Sequence, residues 1–506
     1  MYFSKSKYCN FLHCPKMAWL EKYKPEEKVI DQSANARFEE GHAVGELAKN
    51  LFGEFVDVTT LKEDGSLDLS AMIEKTKEEI KKGADIICEA SFSYNGLYCA
   101  VDILRRVPDG YAIYEVKSST YEPREEKNDS KPKQSYLIDI AYQKYVLVKC
   151  GIKVINTYLV QPNKSFVKQG DIDVEKFFFI KEVSDFIKEE YDKIDANLAQ
   201  AEPILDGKIE PDSKLSSKCN KPYDCAYWGY CTRCLPEDNV FTLYNCRKKF
   251  TYYEQGILSF DDLLKSGEQI TDVQRKQVEF SKKSVEEVFV DKVGVRSFLD
   301  SLSYPLYFLD FETMQSVIPQ LDGTRPNQVI PFQHSLHYIE SEGAPLQHKE
   351  FLAESGENPL RAIAESLCEN IPKGACTLAY YKKFECDRLN ELADLFPDLA
   401  EHLRSIADGI IDLLVPFQKG YYYKKAMGGS FSIKVVLPAI FPNDPTLNYQ
   451  NLDGVHNGSE AMDIFPKIKD MPKEEAEKIR ESLLKYCYLD TFGMVKIWEE
   501  LVRVSK

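Results

Sequence analysis

The chain has 506 residues, of which 29% are charged, 43% hydrophobic and 12% aromatic, a balance that excludes disordered and fibrous classes and, at roughly 150 residues per domain, predicts about three units. Lys plus Arg total 65 against 81 Asp plus Glu, a formal charge of −16, which excludes a uniformly basic nucleic-acid coat while leaving room for local basic patches. No run approaches the ~18 apolar residues of a membrane span, and MYFSKSKYCNFLHC carries no apolar signal core, so the expectation is a cytoplasmic protein without membrane contact.

Helical periodicity covers residues 33–52. Three strands follow, DIICEASFSY, LYCAVDILRRV and YAIYEVKSS, joined at Asn95-Gly96 and Pro108-Asp109-Gly110, both tight-turn chemistry. Helices are expected around 136–150 and 180–198, then a cysteine-rich stretch ends a first domain, 1–235. Residues 236–300 read as a polar helical connector. The strand PLYFLDFET then opens a second α/β domain, 301–506, which closes with the long helix PKEEAEKIRESLLKYCYLDTFGMVKIWEELV.

Turn lengths set the register of the three strands. A two-residue loop at Asn95-Gly96 pairs Tyr94 with Leu97 and places Glu89 opposite Asp102. If Val107 pairs with Gly110, Asp102 faces Glu115. Three carboxylates then share one row with Cβ atoms about 4.5–5.5 Å apart, a set that can hold a divalent cation. Lys117 points to the same face, where it can hold a nucleophilic water or neutralise charge developing at phosphorus. The competing reading is an exposed strand face with ordinary charge pairs. The segment resembles the PD-(D/E)XK nuclease superfamily, with Asp102 as the hairpin aspartate and Glu115-Val116-Lys117 as the E-x-K. That resemblance implies a place for Gln143, in DIAYQKYVLVKCG, on the helix that in RecB-like members supplies a glutamine and a tyrosine. Tyr145 follows after two residues, whereas the family spaces the pair Q-x-x-x-Y. RecB-like nucleases often add a metal-ligating histidine as G-x-x-x-H. Here His42 directly follows Gly41, and ligation, packing and exposure are all open, with Glu46 among the acids in or near a metal site.

Five of fourteen cysteines fall within 28 residues, at 219, 225, 231, 234 and 246. Cys14, in HCPKMAWL, together with Cys219, Cys225 and Cys231 resembles the iron–sulfur staple of the RecB-like nucleases found in CRISPR adaptation exonucleases and AddB-type helicase–nucleases. The resemblance implies that these four hold a [4Fe–4S] cluster. The spacing of five and then five intervening residues departs from the tighter C-x2-C usual there. A zinc site from Cys219, Cys225, Cys231 and Cys234, which would ignore Cys14, and unligated thiols are the alternatives.

In LYFLDFET, Asp310 and Glu312 project from one face of a strand. In the closing helix Tyr486 and Asp490 lie one turn apart, and Glu385 falls near the start of a helix in CTLAYYKKFECDRL. These motifs resemble the DEDD exonucleases of the RNase H-like (DnaQ-like) fold, in the subclass with Y-x-x-x-D. The resemblance implies that Asp310, Glu312, Glu385 and Asp490 hold two Mg2+ or Mn2+ ions and that Tyr486 orients the attacking water, with Asp412 behind them. Glu385 stands where that family usually has aspartate. Tyr421 to Tyr423, Lys424, Lys425 and Lys434 interleave rings and cations as single-strand binders do, or form a solvated loop. The strings SFSIKVVLP and YCYLDT resemble a bacterial family that fuses both nuclease types.

The expected molecule is therefore an α/β protein, a PD-(D/E)XK restriction-endonuclease-like domain plus an RNase H-like exonuclease domain. It would hydrolyse phosphodiesters of single-stranded or end-bearing nucleic acid, DNA favoured over RNA, in end processing, repair or defence. A nucleic-acid-binding scaffold without cleavage is the alternative.

Overall fold

The computed structural model describes residues 3–29, 32–121, 131–221 and 223–506. The chain divides into two compact units, residues 1–233 with 316–328, and residues 234–315 with 329–506. Both are mixed α/β. The helical stretch 236–300 lies inside the second unit, where Val240, Leu243, Tyr252, Phe260, Leu263 and Val278 form a small core. Among the described residues no helix is long and apolar enough to cross a membrane.

The first unit carries a seven-stranded mixed sheet. The two-residue strand Phe3–Ser4 leads into helix α1 (Lys5–His13). Strands β1 (Ile86–Tyr94), β2 (Leu97–Val107) and β3 (Gly110–Val116) form an antiparallel meander. Helix α2 (Gln134–Lys149) then crosses to β4 (Val154–Pro162), which runs parallel to β3, and β5 (Phe178–Glu182) pairs antiparallel with β4. The first turn is tight because Asn95 and Gly96 both hold positive φ, 47° and 82°, as a two-residue hairpin of this twist demands. At the second turn a Cβ on Gly110 would meet the Lys153 carbonyl at 2.3 Å. The pairs Tyr94–Leu97 and Val107–Gly110 follow the turn lengths.

One expectation fails here. Ile180 lies in β5 rather than in a helix, and the helical residues are Lys188–Asp192 and Ile194–Asp206. Pairing with β4 claims the FFIKE segment, and sheet hydrogen bonding overrides its local helical pattern.

Side-chain alternation also breaks inside the meander. In β1, Ile86 and Cys88 pack in one core while Ala90 and Phe92 pack in the other, although all four lie an even number of residues apart. The reversal falls at Glu89, whose φ is +56°. The ladder passes from Cys88–Ile103 to Ala90–Val101 without a Glu89–Asp102 pair. β2 reverses opposite, at Asp102: Val101 and Leu104 share one core and Ile103 lies in the other. The flat row of three acids expected from strict alternation is therefore twisted at its middle member.

The second unit is built on five strands, β6 (Leu306–Met314), β7 (Ile330–Ile339), β8 (Gln347–Leu352), β9 (Cys376–Ala379) and, after helix α3 (Lys383–Leu395), β10 (Ile410–Asp412). Their order across the sheet is β8-β7-β6-β9-β10. The first three are antiparallel neighbours, and β9 and β10 run parallel to β6. Helix α4 (Ile433–Ile440) precedes the 33-residue α5 (Lys473–Ser505). The buried residues Leu483, Cys487, Met494, Ile497 and Leu501 form the stripe that α5 turns inward, with Trp498 packed on Phe308 of β6.

Candidate functional sites

In the first unit Glu115 is 1% exposed and sits at the end of β3. Lys117 Nζ donates to Glu115 Oε1 at 2.7 Å and to Asp139. Lys5 Nζ, from α1, donates to the same Glu115 oxygen at 3.0 Å and lies 3.8 Å from Asp139 Oδ2. Gln143 Nε2, from α2, donates to Glu115 Oε2 at 2.5 Å. Asp102 Oδ2 accepts the Val116 N–H at 2.7 Å, just beyond the last ladder pair between β2 and β3. The structure thus gathers Asp102, Glu115, Lys117 and Gln143, and adds Lys5 and Asp139, which the sequence reading missed.

Burial raises the Glu115 carboxyl, but Lys117 and Lys5 outweigh it and hold the group well below the usual carboxylate range. Desolvation and the neighbouring Glu115 anion push the half-buried Asp102 carboxyl up to about 7. The two carboxyls are held apart by environment, one ionised and one ready to keep a proton, as like charges in a shared site require. Gln143 Oε1 is buried without a protein partner.

The remaining first-unit candidates lie differently. Glu89 is half-buried, and burial raises its carboxyl. Lys49 is the cation acting on it most strongly, with Asp57, Lys5 and Glu115 also in range. Among the described residues no three acids of this unit bring oxygens within 4.8 Å of one another, so Glu89 does not close a ligand triad with Asp102 and Glu115 in this arrangement. The reversal at Glu89 and Asp102 accounts for that. Glu46 is 2.5 Å from Lys49 in an ion pair that also takes Asp57 at 2.7 Å. His42 is exposed on the helix Gln32–Ala48. The Tyr145 hydroxyl donates to Asp195, away from the site.

No cysteine is in a disulfide. Cys14, Cys219, Cys225 and Cys231 line one cavity of about 240 Å³, together with Lys16, Lys214 and Lys218. Cys14 caps the helix Pro15–Tyr23 through its backbone position alone, so its thiol is free of a capping bond. Cys234 is exposed and does not line the cavity. Burial pushes the Cys231 thiol up to about 11, with Cys225, Cys14 and Cys219 adding to it. Tetrahedral zinc, with Zn–S near 2.3 Å, needs sulfurs about 3.8 Å apart. Among the described residues no three of these sulfurs lie within 4.8 Å of one another. Four thiols in one cavity, with Lys214 and Lys218 there to offset thiolate charge and Lys16 paired with Glu210 at 2.7 Å, are a donor set that fits a thiolate-bound metal centre.

In the second unit, ligand atoms of Asp310, Glu312 and Cys487 lie within 4.8 Å of one another. Asp310 and Glu312 come from β6, Cys487 from α5. One turn of α5 also presents Tyr486 and Asp490, 3% and 7% exposed. The Tyr449 hydroxyl donates to Asp490 Oδ1 at 2.7 Å, and Lys434 Nζ of α4 donates to the Tyr486 hydroxyl at 2.9 Å. Glu385, in the first turn of α3, is buried, and its Oε2 has no partner. Asp412 accepts backbone N–H groups of Tyr381 and Leu414, both at 3.0 Å. It thereby holds Tyr381 at φ +72°, four residues before Glu385. Asp412 is a positioning residue for the start of α3.

Burial raises every acid of this cluster. Asp310 is lifted further by Asp490, Glu312 and Glu385, and Glu312 by Asp490. Glu385 is pushed up to about 8 and Asp490 to about 6, the latter eased by the Tyr449 hydrogen bond and by Lys434. Lys434 is the cation that opposes the shifts of Asp310, Glu312 and Asp490. Closely grouped carboxyls so lightly compensated by cations, with one oxygen orphaned, are a donor set that suits a divalent cation.

Lys434 was expected to grip substrate alongside neighbouring rings, but its ammonium lies in this cluster instead. Tyr422 and Tyr423 are buried in the core, and Tyr421 is half-buried. The Tyr422 hydroxyl donates to Glu500 and that of Tyr423 to the Gly428 carbonyl, both at 3.0 Å. Tyr421 packs so tightly on Gly294 that a Cβ there would meet the ring at 2.5 Å. Lys424 pairs in a strand with Val288, and Lys425 Nζ donates to the Ser281 carbonyl at 2.5 Å. Tyr422 and Tyr423, adjacent in the strand Tyr422–Lys424, point to opposite faces and are both buried, so this short strand is covered on both sides. Tyr449 and Cys487 were not singled out by the sequence, although Cys487 lies inside the Y-x-x-x-D string.

Residues 307–432 match a family model described as Domain of unknown function (DUF2779). That span includes Asp310, Glu312, Glu385 and Asp412 and ends before Lys434, Tyr486 and Asp490. No curated protein matches the chain.

Proposed function

We propose that the chain is a metal-dependent nuclease with two hydrolytic centres, a PD-(D/E)XK centre in the first unit and a DEDDy exonuclease centre in the second. Its substrate would be DNA strand ends. The observation that carries the reading is the gathering of Asp310, Glu312, Glu385, Tyr486 and Asp490 from three separate segments into one buried cluster. Those four acids would hold Mg2+ or Mn2+, and Asp102 and Glu115 would do so in the first unit. A divalent ion supplies Lewis acidity and lowers the pKa of a water. Tyr486, fixed by Lys434, orients that water in the second centre. In the first, Lys117 and Lys5 face charge developing at phosphorus while Gln143 anchors Glu115.

The test is an end-labelled single strand incubated with Mn2+ and wild type, Lys117→Ala, Asp310→Ala or both changes together. Two activities, each lost in one single variant and both lost in the double, are expected. Undiminished cleavage by the double variant removes the assignment, and a wild type that binds without cutting favours a scaffold.

The four cavity cysteines would hold a [4Fe–4S] cluster. Cys14→Ala is expected to lose iron and visible charge-transfer absorbance on anaerobic purification, while Cys234→Ala keeps both. Full retention in Cys14→Ala overturns the ligand set.

A further inference from the structure

Outside the carboxylate cluster, the second unit has a cavity of about 490 Å³ lined by Phe241, Asn245, Arg247, Lys249, Gly429 and Ser430 among others. No acid lines it, in a chain of net charge −16. Lys248, between the two lining cations, is ion-paired with Glu268 at 3.1 Å. Arg247 is exposed and Lys249 half-buried beside the Phe250 ring. The cavity exists because the 428–430 turn comes close to the 241–249 segment. A Cβ on Gly429 would meet the Thr242 carbonyl at 2.0 Å, and Asn245 takes φ +44° opposite it.

This pocket is joined to the acids. Tyr244, in its wall segment, packs on Phe431 with ring centroids 4.5 Å apart. The Phe431 carbonyl accepts the Tyr380 hydroxyl at 2.7 Å, and Tyr380 directly follows β9. From Ser430, on the rim, four residues lead to Lys434 in the cluster, at most about 14 Å of chain. Cations, one aromatic ring and backbone in a groove are the chemistry that follows a phosphodiester strand without reading its bases.

We propose that this pocket binds the sugar–phosphate backbone of a single DNA strand a few nucleotides from the carboxylate cluster, with Arg247 and Lys249 as its phosphate contacts. The proposal rests on the exonuclease reading of that cluster for the direction of the strand, but its test does not. Binding of a fluorescent oligothymidine to the full chain is measured by anisotropy in EDTA across a salt series. The same strand, or thymidine monophosphate, is then tested for protecting Lys249 from acetylation, read by mass spectrometry.

Arg247→Gln/Lys249→Gln is expected to weaken strand binding about tenfold and to flatten the dependence of log K on log salt by about 1.4, about 0.7 for each phosphate contact on a single strand. The strand, and not the mononucleotide, should protect Lys249. Unchanged affinity and salt slope in the double variant overturn the proposal, as does equal protection by the mononucleotide, which would make this a nucleotide pocket. Arg247→Lys/Lys249→Arg, which keeps both charges, is expected to retain the wild-type slope. A wild type that binds through these residues yet never cleaves keeps the pocket and removes the exonuclease reading. Cleavage with unaltered binding in the double variant removes the pocket alone.

Discussion

Asp490→Asn is expected to raise the melting temperature of the metal-free protein at pH 8 while lowering second-centre cleavage, measured in a Lys117→Ala background, by about 10³-fold. The rate loss follows from several kcal/mol of charge stabilisation at 1.36 kcal/mol per decade. The stability gain follows from the sign of the shifts. Asp310, Glu312, Glu385 and Asp490 all lie above their ordinary values, burial being the first cause in each case. The folded state keeps protons that an unfolded chain releases near pH 4. The stability this supplies is full below about pH 4 and is lost as pH rises through about 6 for Asp490 and about 8 for Glu385. Removing one charge relieves the others at pH 8. The Asn side chain keeps an acceptor for the Tyr449 hydroxyl, and a gain of about 1 kcal/mol corresponds to roughly 2–4 °C for a unit of this size. Mn2+ should restore the lost stability, so its effect on melting is expected to be larger at pH 8 than at pH 5 and to shrink in Asp490→Asn. Equal Mn2+ effects at both pH values, or a lower metal-free melting temperature for the variant, would mean that these acids do not form a cation site.

The parts of this arrangement that follow local rules were legible in the sequence. Asn95-Gly96 fixes its hairpin because few dipeptides accept two positive φ values, and from that turn the pairing of β1 with β2 could be counted. The i, i+4 spacing of Tyr486 and Asp490 and the i, i+2 spacing of Asp310 and Glu312 are geometric consequences of helix and strand. What counting could not supply was the reversal of faces at Glu89 and Asp102. Strict alternation assumes φ near the β region at every position, and Glu89 departs from it. Tyr422 and Tyr423 misled for a related reason, since aromatic residues between lysines suit a binding loop and a short strand buried on both faces equally well. Lys5 and Asp139, and the place of Lys434 among the acids, were hidden because their partners are remote in sequence, 110 residues in the case of Lys5 and Glu115. No periodicity encodes such a contact. Cys14 was the exception, found only through the resemblance that linked it to cysteines some 200 residues on.

Lys5→Ala, in an Asp310→Ala background that silences the second centre, is expected to lower the remaining cleavage by about 10²-fold and, at the same time, to lower the Mn2+ concentration needed for half-maximal rate. The two effects separate a positioning role from a folding defect. Lys5 and Lys117 donate to one oxygen of Glu115, at 3.0 and 2.7 Å, so the site carries two ammonium groups where a divalent cation must also be accommodated. Two unit charges about 4 Å apart interact by about 4 kcal/mol at an effective dielectric of 20, and solvent near the half-buried Lys5 reduces this to the order of a tenfold change in metal requirement. Loss of the ammonium therefore favours metal entry, while Glu115 loses one of the donors that fix its orientation. Lys5→Arg, which keeps the charge, is expected to retain the wild-type metal requirement and most of the rate. A variant that merely loosened the fold would raise the metal requirement along with the loss of rate, and that result would return Lys5 to a structural role. α1 joins this lysine at its first residue to His13 and then Cys14, with a rise of about 13 Å over its length. Cys14→Ala should accordingly shift the first centre in the same direction as Lys5→Ala, though by less, because α1 also remains anchored by Tyr8 stacked on Tyr142 and by Phe11 in the core.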